Sequence, residues 1–344
     1  MPATIAAQAL QPLRDVFLRL TTIKPQEVKL SVGLDLGSTS IKVVALGQKK
    51  GGSARPVLGQ HVVRLAPGQD TDPAEAIKSA VIQLHMPVRA VNLAVSGQWV
   101  IMRIVEMPAM KPTEIKQALP YEAQRYLPFS IQDVVVDGLL LGPADANKMW
   151  VLIVACKKEL IERRVDWVRR AGLEIALVDV DALALANAYL ASPNRKPEGT
   201  IALLNVGAQL SNLVILRGEV PYLVRDIPWG GDKLLRSVTD QVSGVQPEGV
   251  TKALTDNTVD QAMAGALEQG VETLATELEL SFDYFENRFG QPPDTLLVSG
   301  GPGQAPAVQA ALKQHMAQSV VPWTPAPGLS GQFAIAYGLA LRTL

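Results

Sequence analysis

Two stretches of this chain carry the same pattern, and the repeat constrains its fold more than any other feature. Ser31–Leu46 (SVGLDLGSTSIKVVAL) runs apolar Val32, Leu34 and Leu36 into Gly37-Ser38-Thr39-Ser40, then leaves through Ile41, Val43, Val44 and Leu46. A polar turn between two such runs predicts a buried β-hairpin. Ile201–Leu216 (IALLNVGAQLSNLVIL) repeats it, with Gly207 falling on Gly37 and Asn205 on Asp35 at one offset, and apolar positions matching on both sides. An internal duplication accounts for this, giving two half-molecules that each present a glycine turn to a shared cleft. The tip of such a turn lines up N–H and O–H donors, which suits phosphate oxygens, and Asp35 beside it offers a carboxylate for Mg²⁺.

Composition narrows the class. With 344 residues, 48% of them hydrophobic, the chain is long enough to bury a large core and to divide into two domains. A net charge of −1 and no long Lys/Arg block argue against a nucleic-acid partner. The pairs Lys157-Lys158 and Arg169-Arg170 lie on helical patterns and read as solvated faces. One cysteine, Cys156, excludes an internal disulfide and reads as a small core residue, while His61, His85 and His315 lack ligand spacing. No apolar run reaches bilayer length, and MPATIAAQALQPLRD lacks the features of a secretory signal, so a cytoplasmic location is expected.

In chain order, Leu10, Leu13, Val16, Phe17 and Leu20 make an amphipathic face, so residues 1–28 are expected to be a helix and a linker. A first domain is expected over 29–195. Within it, Val57–Leu65 continues the sheet, Asp72-Pro73 opens a helix, and Val91–Val95 is a buried strand. From about 99 to 172 the pattern becomes strand, helix, strand, strand, helix, which reads as an inserted α+β unit. Pro120 predicts that its first helix kinks or is two short helices meeting there, and Gly172 fits the C′ position of its second. Ser192–Gly199 reads as the linker into a second domain over 196–344. There Gly218-Glu219 is a two-residue turn, Glu272–Phe289 is an amphipathic helix stopped by Gly290, and Thr295–Gly303 runs a strand into a glycine turn. A small lobe is expected at about 232–290.

The segment Glu122–Phe129 (EAQRYLPF), followed by Val134–Asp137, resembles the E-x-x-x-Y-[IL]-P-F…V-x-D run of the PilM family of type IV pilus assembly proteins. With GLDLGSTSIKVV before it and Leu177–Val180 after it, the likeness covers essentially Ser31 to the C-terminus. It implies an actin-like α/β fold: duplicated ribonuclease H-like domains around a nucleotide cleft, with an inserted subdomain in the first. It implies ATP and Mg²⁺ as cofactors. The cofactor-binding residues would be Asp35, Gly37, Ser38, Thr39, Ser40 and Lys42 in the first half, and Asn205, Gly207, Ala208, Gln209, Gly230, Gly231, Gly300, Gly301 and Pro302 in the second. Asp35 would hold the metal. The likeness places Asp179 near the cleft, where a helix N-cap is the other reading of the same residue. It implies that Tyr126, Leu127, Pro128 and Phe129 line a groove for the cytoplasmic tail of a PilN-type inner-membrane protein. Association with the membrane would then run through partners, other pilus assembly proteins among them, with self-association left open.

Three departures touch the nucleotide site. Asn205 stands where relatives carry aspartate, Glu248–Lys252 has the wrong spacing for the ribose segment, and Pro302 replaces a glycine. An amide brings no negative charge, so the metal loses an anionic anchor and slow or absent hydrolysis is expected. No catalytic residue is assigned. An FtsA-like filament former and a metabolite kinase of the same superfamily are the alternative readings.

Overall fold

Both hairpins form, and the duplication reaches far beyond them. The computed structural model describes residues 30–48, 54–65, 72–145, 147–196 and 198–342; the amphipathic stretch before residue 21 lies outside these. The first sheet contains β1 (Ser31–Leu36), β2 (Ser40–Leu46), β3 (Val57–Arg64), β4 (Ala90–Val95) and β8 (Glu174–Val180), in the order β3-β2-β1-β4-β8. The second contains β9 (Thr200–Val206), β10 (Ser211–Arg217), β11 (Val220–Ile227), β12 (Thr295–Ser299) and β13 (Ser319–Pro322), in the order β11-β10-β9-β12-β13. Each is an antiparallel meander of three strands extended by two parallel ones. One topology is used twice, as the repeated hairpins imply and as the actin-like fold expected from the resemblance requires.

Helices repeat in step with the strands. In the first half α1 (Pro73–Ile82) precedes β4, α3 (Lys158–Arg170) precedes β8 and α4 (Asp181–Leu190) follows it. In the second half α7 (Gln261–Phe289), α8 (Pro306–His315) and α9 (Ala334–Leu341) hold the matching places, and α5 (Gly231–Gln241) and α6 (Pro247–Asp256) make the extra lobe. Local signals fix the ends. The Asp72 carboxylate accepts from the Ala74 N–H at 3.1 Å to cap α1. Gly172, at φ +81°, closes α3 in a Schellman motif: its N–H donates to Arg169 O at 2.9 Å and the Leu173 N–H to Val168 O at 3.1 Å. Asp260 caps α7, which begins upstream of the expected Glu272, and Gly290 at φ +94° ends it.

The two domains share one core, because their last helices cross over. α9 lies on β1 and β2 of the first sheet, while α4 lies on β10 and β11 of the second. Close approach requires glycine at two points. A Cβ on Gly33 would overlap the Ala336 carbonyl oxygen, and one on Gly338 would overlap the Ala184 carbonyl oxygen. Val44, Leu46 and Val95 of the first sheet and Ile201, Leu203 and Val214 of the second pack around these helices in a single buried cluster.

The stretch expected as the inserted unit, about 99–172, contains a three-stranded sheet of its own. Its sheet, β5 (Val100–Pro108), β7 (Lys148–Lys157) and β6 (Val134–Pro143) in the order β5-β7-β6, is covered on one face by α2 (Pro112–Gln124). The following helix, α3, packs both ways: Leu160 joins the cluster of Met102, Leu152 and Cys156, and Val168 is buried with Val32, Ile77 and Leu93 of the first domain. α2 runs as one helix across Pro120 rather than breaking there. The other face of the inserted sheet, through Met102, Leu141, Leu152 and Cys156, joins the shared core. Burial pushes the Cys156 thiol up to about 11, so it is an inert core residue as expected.

Candidate functional site

The tips of the two hairpins, the start of α5 and the turn after β12 make the candidate nucleotide site. On the first-domain side, Asp35 and Lys42 are cross-strand partners in the β1–β2 register, and Lys42 Nζ donates to Asp35 Oδ2 at 3.0 Å. Both side chains are largely buried, at 14% and 12% exposure, so water screens the pair weakly. Gly37, Ser38, Thr39 and Ser40 form the exposed or half-exposed tip beyond them. A Cβ on Gly37 would come within 2.8 Å of Ser40 O, so the tight turn needs the glycine.

The second-domain turn is built into its surroundings. Gly207 receives no side chain because a Cβ would sit 2.6 Å from Leu210 O. The carbonyls of Gly207 and Ala208 accept from the first N–H groups of α5, Gly231 at 2.9 Å and Asp232 at 2.7 Å, which seats the helix on the hairpin tip. Gly230 lies against Ala208, and Pro302 packs on Gly231, where a Cβ would be 2.8 Å from its ring. Gln209 stays exposed. Gly300 has φ +89° and passes directly over Val206, whereas Gly301 has nothing within 4 Å of a Cβ position. The backbone is thus bare at Gly301. Nine expected residues therefore converge from three chain segments: Asn205, Gly207, Ala208, Gln209, Gly230, Gly231, Gly300, Gly301 and Pro302.

The expected metal anchors are spent elsewhere. Asp35 holds Lys42, and Asn205, buried at 8% exposure, donates to Asn212 Oδ1 at 3.2 Å and accepts from Ser299 Oγ at 3.4 Å. Asn212 in turn donates to Asp226 Oδ1 at 2.8 Å, and Asp226 Oδ2 accepts from the Gly97 N–H of the first domain at 2.7 Å. Burial, the largest cause, holds the Asp226 carboxyl above its ordinary value against these two hydrogen bonds. Among the described residues no cluster of three or more His, Cys, Asp or Glu side chains could hold a metal ion. Asp35, the expected Mg²⁺ ligand, is paired in this structure with the Lys42 ammonium.

Asp179 does not cap the helix: its Oδ1 accepts from the adjacent Val180 N–H, and its Oδ2 pairs with Arg342 at 3.2 Å. Asp181, the first residue of α4, instead feels Asp35 and Asp226. Burial first and the charge of Asp35 next push its carboxyl up to about 6, opposed by Arg164 and a Ser96 hydrogen bond. Arg164 of α3 also ties the strand ends together, donating to Leu36 O at 3.3 Å and Ala94 O at 3.1 Å.

The expected partner segment lies at the foot of the insertion. Phe129 stacks on Trp99 with centroids 6.3 Å apart, and Lys157 Nζ lies 3.8 Å from the centre of the Trp99 ring and 4.8 Å from that of Phe129. Tyr126 is exposed, donating its hydroxyl to Glu122 at 3.2 Å, and Pro128 is exposed beside it. Leu127 differs from the other three. It packs against Ile115 and Leu119 under α2 and anchors the turn instead of presenting it. A cavity of about 660 Å³ opens between β5, β11 and α7; Gly97 and Asp226 form part of its wall, with Ile101, Arg103, Tyr222 and Tyr284, none of which the sequence singled out.

A family model described as type IV pilus assembly protein PilM matches residues 33–330. The chain belongs to the PilM family. Its fold is similar to that of a solved PilM-PilN type IV pilus biogenesis complex chain, with a TM-score of 0.78, 23% identity, and coverage of 90% of this chain and 97% of that one. It is also similar to the ethanolamine utilization protein EutJ from Carboxydothermus hydrogenoformans, at a TM-score of 0.58 and 14% identity, covering 97% of each chain. No helix among the described residues of this PilM-family chain is long and apolar enough to cross a membrane.

Proposed function

We propose that this chain is a cytoplasmic actin-like scaffold of type IV pilus assembly that holds ATP in its interdomain cleft and docks the cytoplasmic tail of a membrane-anchored PilN-type protein. The observation that carries the docking is the aromatic turn at the foot of the insertion. Tyr126, Pro128 and Phe129 are left at least partly uncovered, and Phe129 lies beside the Lys157 ammonium, although phenylalanine is among the residues most often buried. A partly exposed aromatic anchor next to a cation suits a short peptide with apolar side chains. Contact with the tail would hold the scaffold at the inner face of the cytoplasmic membrane.

The test is calorimetric titration of a PilN-type cytoplasmic tail into the wild type, Tyr126→Ala and Phe129→Ala, with melting measured alongside. Exposed side chains of this kind cost about 1 kcal/mol or less of stability when truncated, whereas a binding anchor costs roughly 2 kcal/mol of affinity or more. Binding that falls at least about tenfold in one variant, with melting little changed, is the expected result. Unaltered affinity in both moves the docking site elsewhere, and no binding to the wild type removes the reading. With the anionic metal anchors committed, ATP turnover is expected near background; steady turnover at roughly one per second or faster, ordinary for enzymes, would contradict that.

A further inference from the structure

The duplication allows the two arms of the cleft to be compared position by position. Asp35 and Lys42 face each other across β1 and β2, and Asn205 and Asn212 face each other across β9 and β10 at the matching register. The first arm thus carries an acid and an ammonium where the second carries two amides. The second pair is turned inward, through Asn212 to Asp226 and from Asp226 to Gly97, so its polar atoms tie the domains together instead of facing a ligand. Three carboxylates gather here, Asp35, Asp181 and Asp226, with Asn205 where a fourth acid would stand, and each already has a protein partner.

Mg²⁺ therefore does not fit this donor set, while a phosphate does. Besides the N–H and hydroxyl groups of the Gly37–Ser40 tip, the cleft offers Lys42, whose ammonium has three donors. One holds Asp35; two remain. We propose that this cleft binds the phosphates of a nucleotide without a divalent cation, with the Lys42 ammonium supplying the positive charge a metal would otherwise bring. The inference rests on the nucleotide reading above and narrows the form of the ligand to the free anion.

The probes are ATP and ADP titrated calorimetrically into the full chain, once with excess Mg²⁺ and once with excess EDTA. Affinity within about threefold between the two buffers is expected, with Lys42→Met weakening it at least about tenfold in both and Lys42→Arg restoring part of the loss. Because removing Lys42 leaves a buried carboxylate unpaired, Asp35→Asn provides a second readout. It frees the ammonium for phosphate and should keep or raise affinity in both buffers, whereas loss of a metal anchor would weaken binding in the Mg²⁺ buffer. Affinity that vanishes in EDTA and returns with Mg²⁺, or that collapses in Asp35→Asn, overturns the inference while the nucleotide reading stands. Absence of binding to either nucleotide in either buffer overturns both.

Discussion

Gly338→Val should destabilise the chain by more than about 3 kcal/mol, lowering its melting temperature by roughly 6–12 °C or driving it into aggregates. The reason is geometric. Gly338 lies where α9 crosses α4, and a Cβ there would overlap the carbonyl oxygen of Ala184, which is backbone and has no rotamer to retreat into. The helices would have to separate, and the shared core on both sides would open with them. Tyr189, Leu185 and Phe333 all belong to that cluster. Because the crossing joins the domains, the loss should appear in both sheets at once. Amide hydrogen exchange would show faster exchange in β1 and in β10 together. A matched control exists in Gly301→Ala, where a Cβ meets nothing within 4 Å and melting should be unchanged to within about 0.5 kcal/mol. If Gly338→Val melts like the wild type, the helices do not cross as closely as described.

What the sequence revealed and what it hid follow from the range of the forces involved. The hairpins, the Asp72 cap, the Gly172 and Gly290 stops and the Gly218-Glu219 turn were all legible, because each is decided within a few residues by alternation, capping or positive φ. The duplication then carried the fold, since one sheet order had to serve twice. Periodicity tells that a face is buried but not against what, which is why the pattern of α3 did not show that its Leu160 and its Val168 join different clusters. The start of α7 was obscured by Gly265 and Gly270. Gly270 is there because Ser237 and Leu234 of α5 lie about 3 Å from where its Cβ would be, a contact between segments far apart in the chain.

The same limit applies to the site. The glycine turns were found because glycine marks backbone geometry locally. Asp226 went unnoticed, since a lone acid in the strand Val220–Ile227 carries no sign that its partner is Gly97, 129 positions earlier. Asn205 read as a weakened metal anchor. The structure gives the amide a positive role as the inner end of a hydrogen-bonded chain that reaches Gly97 across the domain boundary, and loss of the negative charge lets that chain form without repelling Asp226.

Asp181→Asn should raise stability at pH 8 by on the order of 2–3 kcal/mol and leave it almost unchanged near pH 4. Asp181 is the first residue of α4, with Asp35 of β1 and Asp226 of β11 as like charges, Arg164 of α3 as the opposing charge and a hydrogen bond from Ser96. Its carboxyl is pushed from 3.8 up to about 6 in the folded chain, chiefly by burial and then by Asp35. Between those two values the native state holds a proton that the unfolded chain has released. Stability therefore falls as pH rises through this window, and the full cost of an ionised Asp181 is borne above about pH 6. Asparagine keeps an acceptor for Ser96 but has no charge to bury. The measurement is the difference in melting temperature between variant and wild type at pH 4, 6 and 8, which should grow with pH. A helix N-terminus favours a negative charge, and that effect opposes the prediction by about 0.3–1 kcal/mol. A difference that is flat with pH, or that favours the wild type at pH 8, would mean that Arg164 and the helix end outweigh burial and the two neighbouring acids.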